Sequence, residues 1–118
     1  MENTPICLSR SWKKSQNVAF ENPSLDISIM HWNVLADFLA YDFEKVPDLY
    51  LKWHFRFPMI IQHIKDVNAD IIGLSEVDVY PIYEQYQEEL AKMGYLGLFH
   101  EKSDRKSGSA IFYKKDKI

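Results

Sequence analysis

The sequence predicts a mixed α/β domain, and three observations predict it. Segments with the two-residue period of a strand alternate with segments that carry apolar residues at helical spacing. Proline stands near the start of each helical segment, and Asn68 or Gly94 closes it. Apolar residues make up 47% of the 118 residues, enough to fill a core and too many for a disordered chain.

Residues 1–24 show no hydrophobic period and end in the turn-like Glu21-Asn22-Pro23-Ser24, so they read as a flexible tail ahead of a structured 25–118. From Leu25 onward, Ile27, Ile29, His31 and Asn33 alternate with Ser28, Met30 and Trp32, which predicts a strand. Met30 and Trp32 on its second face predict burial on both sides. Residues 37–50, aromatic and acidic around Pro47, read as a long loop with one helical turn. Pro58 is costly inside a helix but suits a first turn. A helix is therefore expected from Phe57 to Val67, with Ile60, Ile64 and Val67 on one stripe and a short helical piece at 52–56 leading into it. Ile71–Val77 is the second strand. Pro81 opens another helix with Ile82, Tyr83, Tyr86, Leu90 and Met93 on its apolar stripe, and Gly94 sits at a left-handed C-cap. Residues 95–100 and 109–113 read as strands joined by the charged hairpin loop 102–107. The order is β-α-β-α-β-β, and several strands lack a partner that would complete a layer.

The formal charge of −3 and the pI near 5.8 argue against a broad basic surface for nucleic-acid phosphates. They leave a nuclease open, because a metal ion can supply positive charge where the backbone is cut. Cys7 is the single cysteine, so neither an internal disulfide nor a thiolate zinc cluster can form. That fits a reducing, cytoplasmic setting. No apolar run nears the roughly 18 residues of a membrane span, and the first two dozen residues lack the apolar stretch of a secretory signal. No membrane partner is expected.

On a regular strand Ile72, Leu74 and Glu76 share one face, so two buried positions lead to a carboxylate at the C-terminal end. A charge there is costly unless it is paired, hydrogen-bonded or metal-bound. The plainer reading is the first solvated residue after a buried strand. Asn33 stands in the same way at the exit of the first strand; its amide could orient a phosphate or a water, or simply start a turn. Two strands joined by one crossover helix tend to be parallel neighbours. Asn33 and Glu76 then point into one crevice, where open α/β sheets bind ligands.

The remaining candidates have weightier structural readings. His31, His54, His63 and His100 are scattered and read as packing or surface residues. Trp32, Trp53, Phe55 and Phe57 read as core rather than as stacking platforms for bases. Arg105 and Lys106, with Lys102, read as a solvated hairpin that could touch a phosphate. Asp78 is either a supporting carboxylate near a metal or the cap of the turn before Pro81.

Four segments in order carry a resemblance: Ile29-Met30-His31-Trp32-Asn33-Val34-Leu35-Ala36-Asp37, Leu51-Lys52-Trp53-His54-Phe55-Arg56, the stretch Ala69–Asp78 (Ala-Asp-Ile-Ile-Gly-Leu-Ser-Glu-Val-Asp), and Gly108-Ser109-Ala110-Ile111-Phe112-Tyr113-Lys114. They resemble the opening motifs of the exonuclease/endonuclease/phosphatase superfamily, nearest its branch of deadenylases, nocturnin, angel proteins and 2′,5′-phosphodiesterase. The resemblance covers about residues 26–118. It implies part of a four-layer αββα sandwich of DNase I type, incomplete at the C-terminus. It also implies a Mg²⁺-dependent phosphodiester or phosphate-ester hydrolase, with Mn²⁺ as a possible substitute, acting on poly(A)-like RNA or a small nucleotide. By the same resemblance Glu76 holds the metal, and Asn33 helps hold the phosphate or the attacking water.

Two positions depart from the family pattern. Ser75 stands where a glutamine usually precedes the metal glutamate, and Ser107-Gly108-Ser109 replaces Asp-Gly-Cys. The family's later motifs, a His and Asp pair, an Asp-x-Asn segment and a closing Ser-Asp-His, find no counterpart after the fourth segment. An alternative expectation follows: a short form without catalysis, acting as an interaction module.

Overall fold

The computed structural model describes residues 26–40, 45–79 and 81–118, together with Ser11. The tail expected over 1–24 lies, apart from Ser11, outside the described residues. In chain order the elements are β1 (Ile29–Asn33), α1 (Asp37–Ala40), α2 (Asp48–Leu51), α3 (Trp53–Val67), β2 (Ile71–Asp78), α4 (Ile82–Ala91), β3 (Tyr95–Glu101) and β4 (Ser107–Lys114). They form one sheet in the order β1-β2-β4-β3. β1 and β2 are parallel neighbours, with Asn33 beside Ser75, and the other two pairings are antiparallel. The crossover through α3 therefore delivers the two strand exits to one end of the sheet, as the spacing predicts.

One sheet face is packed and the other is open. Ile72, Leu74, Ala110 and Phe112 are fully buried against Ile60 and Ile64 of α3 and Tyr83, Tyr86 and Leu90 of α4. Gly97 lets the Phe112 ring lie against the β3 backbone, where a Cβ would stand 2.4 Å from it. On the opposite face the register aligns Ile29, Ile71, Tyr113 and Leu96 in one row, and His31, Gly73, Ile111 and Leu98 in the next. Ile29 is 71% exposed and Leu98 65%. The burial expected on both sides of the first strand is thus realised on the Met30 and Trp32 side only. No helix among the described residues is long and apolar enough to cross a membrane.

Several boundaries differ from the sequence expectation. β1 starts at Ile29 rather than nearer Leu25, because the Ser28 amide is taken by the Asp70 carboxylate at 2.9 Å. The stretch read as a loop with one turn holds two four-residue helices, with residues 41–44 between them outside the described set. The helix expected from Phe57 and the piece before it are one helix, with Pro58 inside it. The amides of Phe55 and Arg56 already bond the Lys52 carbonyl at 3.0 Å, ahead of the proline. The rings of Trp53 and Phe57 pack on Tyr86 at 5.7 and 5.3 Å. These tertiary contacts outweigh the local cost of the proline. α3 ends at Asn68 in the left-handed region, whose amide bonds Ile64 O at 3.0 Å. The cap of α4 is Lys92 rather than Gly94, which with φ 90 closes the turn two residues later, its amide on Ala91 O at 3.0 Å.

Candidate active site

The exits of β1 and β2 are irregular at the candidate residues. Leu74 pairs with Ala110 and Val77 with Gly108, so Ser75 and Glu76 together stand opposite Ser109 alone. This is a β-bulge, and Glu76 occupies it with φ 57. A left-handed conformation is uncommon for a glutamate and costs about 1–2 kcal/mol. The uniform alternation of Ile72, Leu74 and Glu76 expected from the sequence is therefore corrected. After the bulge it is Val77, fully buried, that continues the packed face, while Glu76 is turned out of the ladder and stays half-buried.

The turned-out carboxylate meets Asn33. Asn33 Nδ2 donates to Glu76 Oε1 at 3.0 Å, and Asn33 Oδ1 accepts from the Leu35 amide at 3.0 Å. The second bond fixes which end of the amide faces Glu76. Leu35 is itself left-handed, with φ 58, so two of the strained backbone positions sit within a few residues of this one side-chain pair. The Val34 amide bonds Ser75 O at 3.1 Å, which prolongs the parallel pairing beyond β1. Asp78, 8% exposed, accepts the Asp37 amide on Oδ2 at 2.7 Å. That bond ties the β1 exit to β2. The open face also ends here in polar residues, Asn33 beside Ser75 on one side of the bulge and Ser109 beside His100 on the other.

Arg105 and Lys106 lie on the hairpin between β3 and β4, at this same end of the sheet. The Val79 amide bonds Lys106 O at 3.2 Å. Asp104 accepts the Lys106 amide at 2.9 Å, and that bond, first among its causes, holds the Asp104 carboxyl below its ordinary value. The aromatic candidates divide. Trp32, Trp53 and Phe57 pack on the core, whereas Phe55, together with Trp32, Asn33, Arg56, Tyr50 and His63, lines a groove of about 930 Å³ beside β1. Sequence reasoning assigned no role to Arg56. Its signal lay in its place at the end of the segment 51–56, three residues after Trp53, over whose ring it sits at 5.6 Å.

No family model matches the chain. Individual relatives do. Nocturnin of Drosophila melanogaster is 33% identical over 106 residues, covering 79% of this chain and 16% of the relative. The CCR4-Not complex 3′-5′-exoribonuclease subunit Ccr4 of Neurospora crassa is 30% identical over 131 residues, 99% of this chain and 16% of the relative. The crystal structure of ANGEL2, a 2′,3′-cyclic phosphatase, superposes with a TM-score of 0.70 at 29% identity, over 76% of this chain and 27% of that one. The chain belongs to the exonuclease/endonuclease/phosphatase superfamily. Within this superfamily the likeness falls on the deadenylase, nocturnin and angel branch, and the fold is the α/β, DNase I-like fold that the motifs implied. These relatives are hydrolytic enzymes. The chain spans about a sixth of the length of the two curated relatives and about a quarter of the ANGEL2 chain.

Among the described residues no three His, Cys, Asp or Glu side chains converge to form a metal cage. The donor chemistry at the strand exits nonetheless fits Mg²⁺, which takes one or two protein carboxylates, keeps several waters and draws further oxygens from a phosphate. Glu76 offers one such carboxylate, with one oxygen already oriented by Asn33.

Proposed function

We propose that this chain supplies the metal-binding glutamate and its orienting asparagine to a Mg²⁺-dependent phosphodiester or phosphate-ester hydrolase, of the 3′-exoribonuclease type that shortens poly(A). The observation that carries the reading is the Asn33–Glu76 hydrogen bond at a bulge with Glu76 in a left-handed conformation. A solvated acid at a strand end needs neither the bulge nor the partner. Glu76 is the residue to hold Mg²⁺ (or Mn²⁺), which would supply Lewis-acid polarisation of a phosphoryl oxygen. Asn33 keeps the carboxylate in one orientation, and with a phosphate in place its amide is within the same reach. The groove beside Asn33, with Trp32, Tyr50 and Phe55 in its lining, suits a base or nucleoside. Arg105 and Lys106, on the hairpin at the same end of the sheet, would meet a neighbouring phosphate.

A second substrate reading has its own support: the ANGEL2 structure is that of a 2′,3′-cyclic phosphatase. A nucleotide with a terminal phosphate ester is then the substrate, and RNA enters as its source.

Mn²⁺ binding tests the core of the proposal, read as loss of the free-ion electron paramagnetic resonance signal. Glu76→Gln should weaken binding at least about tenfold. Equal binding by both proteins removes Glu76 from the metal. Release of adenylate from oligo(A), compared with opening of adenosine 2′,3′-cyclic phosphate, then separates the two substrates.

A further inference from the structure

Arg56 makes no hydrogen bond to Asn33 or Glu76, yet its guanidinium grips the segment that follows Asn33. Nη2 donates to the carbonyls of both Val34 and Leu35. Nη1 faces Asp37 Oδ1 at 3.8 Å, an ion pair across the same segment. The clamp is itself braced, because Trp53, under the guanidinium at 5.6 Å, donates from Nε1 to Gln85 Oε1 of α4 at 2.9 Å. On its other side the segment is tied to β2, through Val34 N to Ser75 O and Asp37 N to Asp78 Oδ2. Residues 34–37 are thus held between α3 and β2, with the left-handed Leu35 in the middle.

We propose that Arg56 is a positioning residue for the metal site. By holding the Val34 and Leu35 carbonyls it sets the turn after β1, and the turn sets the Asn33 amide against Glu76. The inference rests on reading Glu76 as the metal ligand. A role in packing alone does not account for the residue chosen. The side chain is only 12% exposed, and burying a guanidinium is costly where an apolar side chain of like volume fills the space. Nη2 serves both carbonyls while Nη1 is turned to Asp37, and two nitrogens fixed in one plane are what arginine has and lysine lacks.

The test uses the whole chain with Arg56→Met and Arg56→Lys, and two readouts. The Asn33 side-chain amide signals in a ¹⁵N correlation spectrum report the bond to Glu76 with no metal present. Mn²⁺ affinity reports the site. In Arg56→Met the Asn33 signals should move toward those of a free amide and Mn²⁺ binding should weaken about tenfold. Arg56→Lys, whose single nitrogen cannot serve the two carbonyls and Asp37 together, should fall between. If folded Arg56→Met is less stable but keeps both readouts, the role is packing and the proposal is overturned. Should Arg56→Met fail to fold, Arg56→Lys decides: an unmoved Asn33 signal overturns the proposal. Equal Mn²⁺ binding by Glu76→Gln and the parent would remove the metal reading instead, and the Asn33 signals would still judge Arg56.

Discussion

At Glu76 one side chain carries a cost to the fold, and the proposed metal site accounts for it. Its φ of 57 places a residue with a Cβ where the backbone prefers glycine, and the bulge interrupts the β2–β4 ladder beside it. Its carboxylate returns one hydrogen bond with Asn33 in an exposed setting, and exposed bonds contribute little net stability. The backbone strain therefore exceeds the local gain, the pattern expected where geometry serves chemistry. Glu76→Gly relieves the strain and removes the proposed metal ligand together. It should raise unfolding stability by about 0.5–1 kcal/mol in urea titration while Mn²⁺ binding is lost. A stability loss instead would show that the carboxylate, through Asn33, holds the strand exits together.

The parallel pair β1 and β2 is fastened at both ends, and the end away from the site depends on one ionised group. Asp70, 4% exposed, accepts the Ser28 amide, while Lys117 Nζ stands 2.8 Å from Oδ2 and Lys114 Nζ 3.5 Å from Oδ1. The Lys117 bond first, and the Ser28 amide next, hold its carboxyl far below the usual carboxylate range. A depressed folded value stabilises the fold above the unfolded value of about 4 and is lost as pH falls below it. Asp70→Asn should therefore lower the urea midpoint at pH 7, and the gap to the parent should close as pH drops from about 4 toward 2. Parallel curves over that range would deny Asp70 the role. At this scale the sequence was informative for regular features. Strand period, Pro81, Asn68 and Gly94 marked the elements, and one crossover was enough to bring Asn33 to Glu76. It was silent on the bulge, since counting by twos assumes an unbroken ladder, and nothing in Ser75-Glu76 announces a break. For Arg56 the second family segment marked the position but not the role, because two of its partners are backbone carbonyls that no residue type reveals.

Across the whole molecule the two sheet faces are unequal, and the inequality follows the position of the site. The helix-covered face is filled by Ile72, Leu74, Phe112 and Tyr86. The other grades from an apolar half, with Ile29, Leu96, Leu98 and Ile111 between 48% and 71% exposed, to the polar row that ends at Asn33. Four strands about 4.8 Å apart make this apolar half some 15 Å wide, a continuous patch of the sort that marks a surface made to be covered. In a four-layer sandwich a second sheet lies about 10 Å away, and the polar row would then form the rim of the cleft between the sheets. The 118-residue chain should accordingly bind the dye ANS and associate with rising concentration in sedimentation experiments. Leu98 and Ile111 stand directly opposite one another, so Leu98→Lys with Ile111→Glu places a cross-strand ion pair on the patch at little cost to the sheet. That double variant should reduce both signals and keep the urea midpoint of the parent. In a longer form whose second sheet covers the face, the same pair is forced into the interior and should destabilise it by more than about 3 kcal/mol. A double variant that unfolds the 118-residue chain as readily would mean that the face is not open, and the reading of an uncovered inner face would fall.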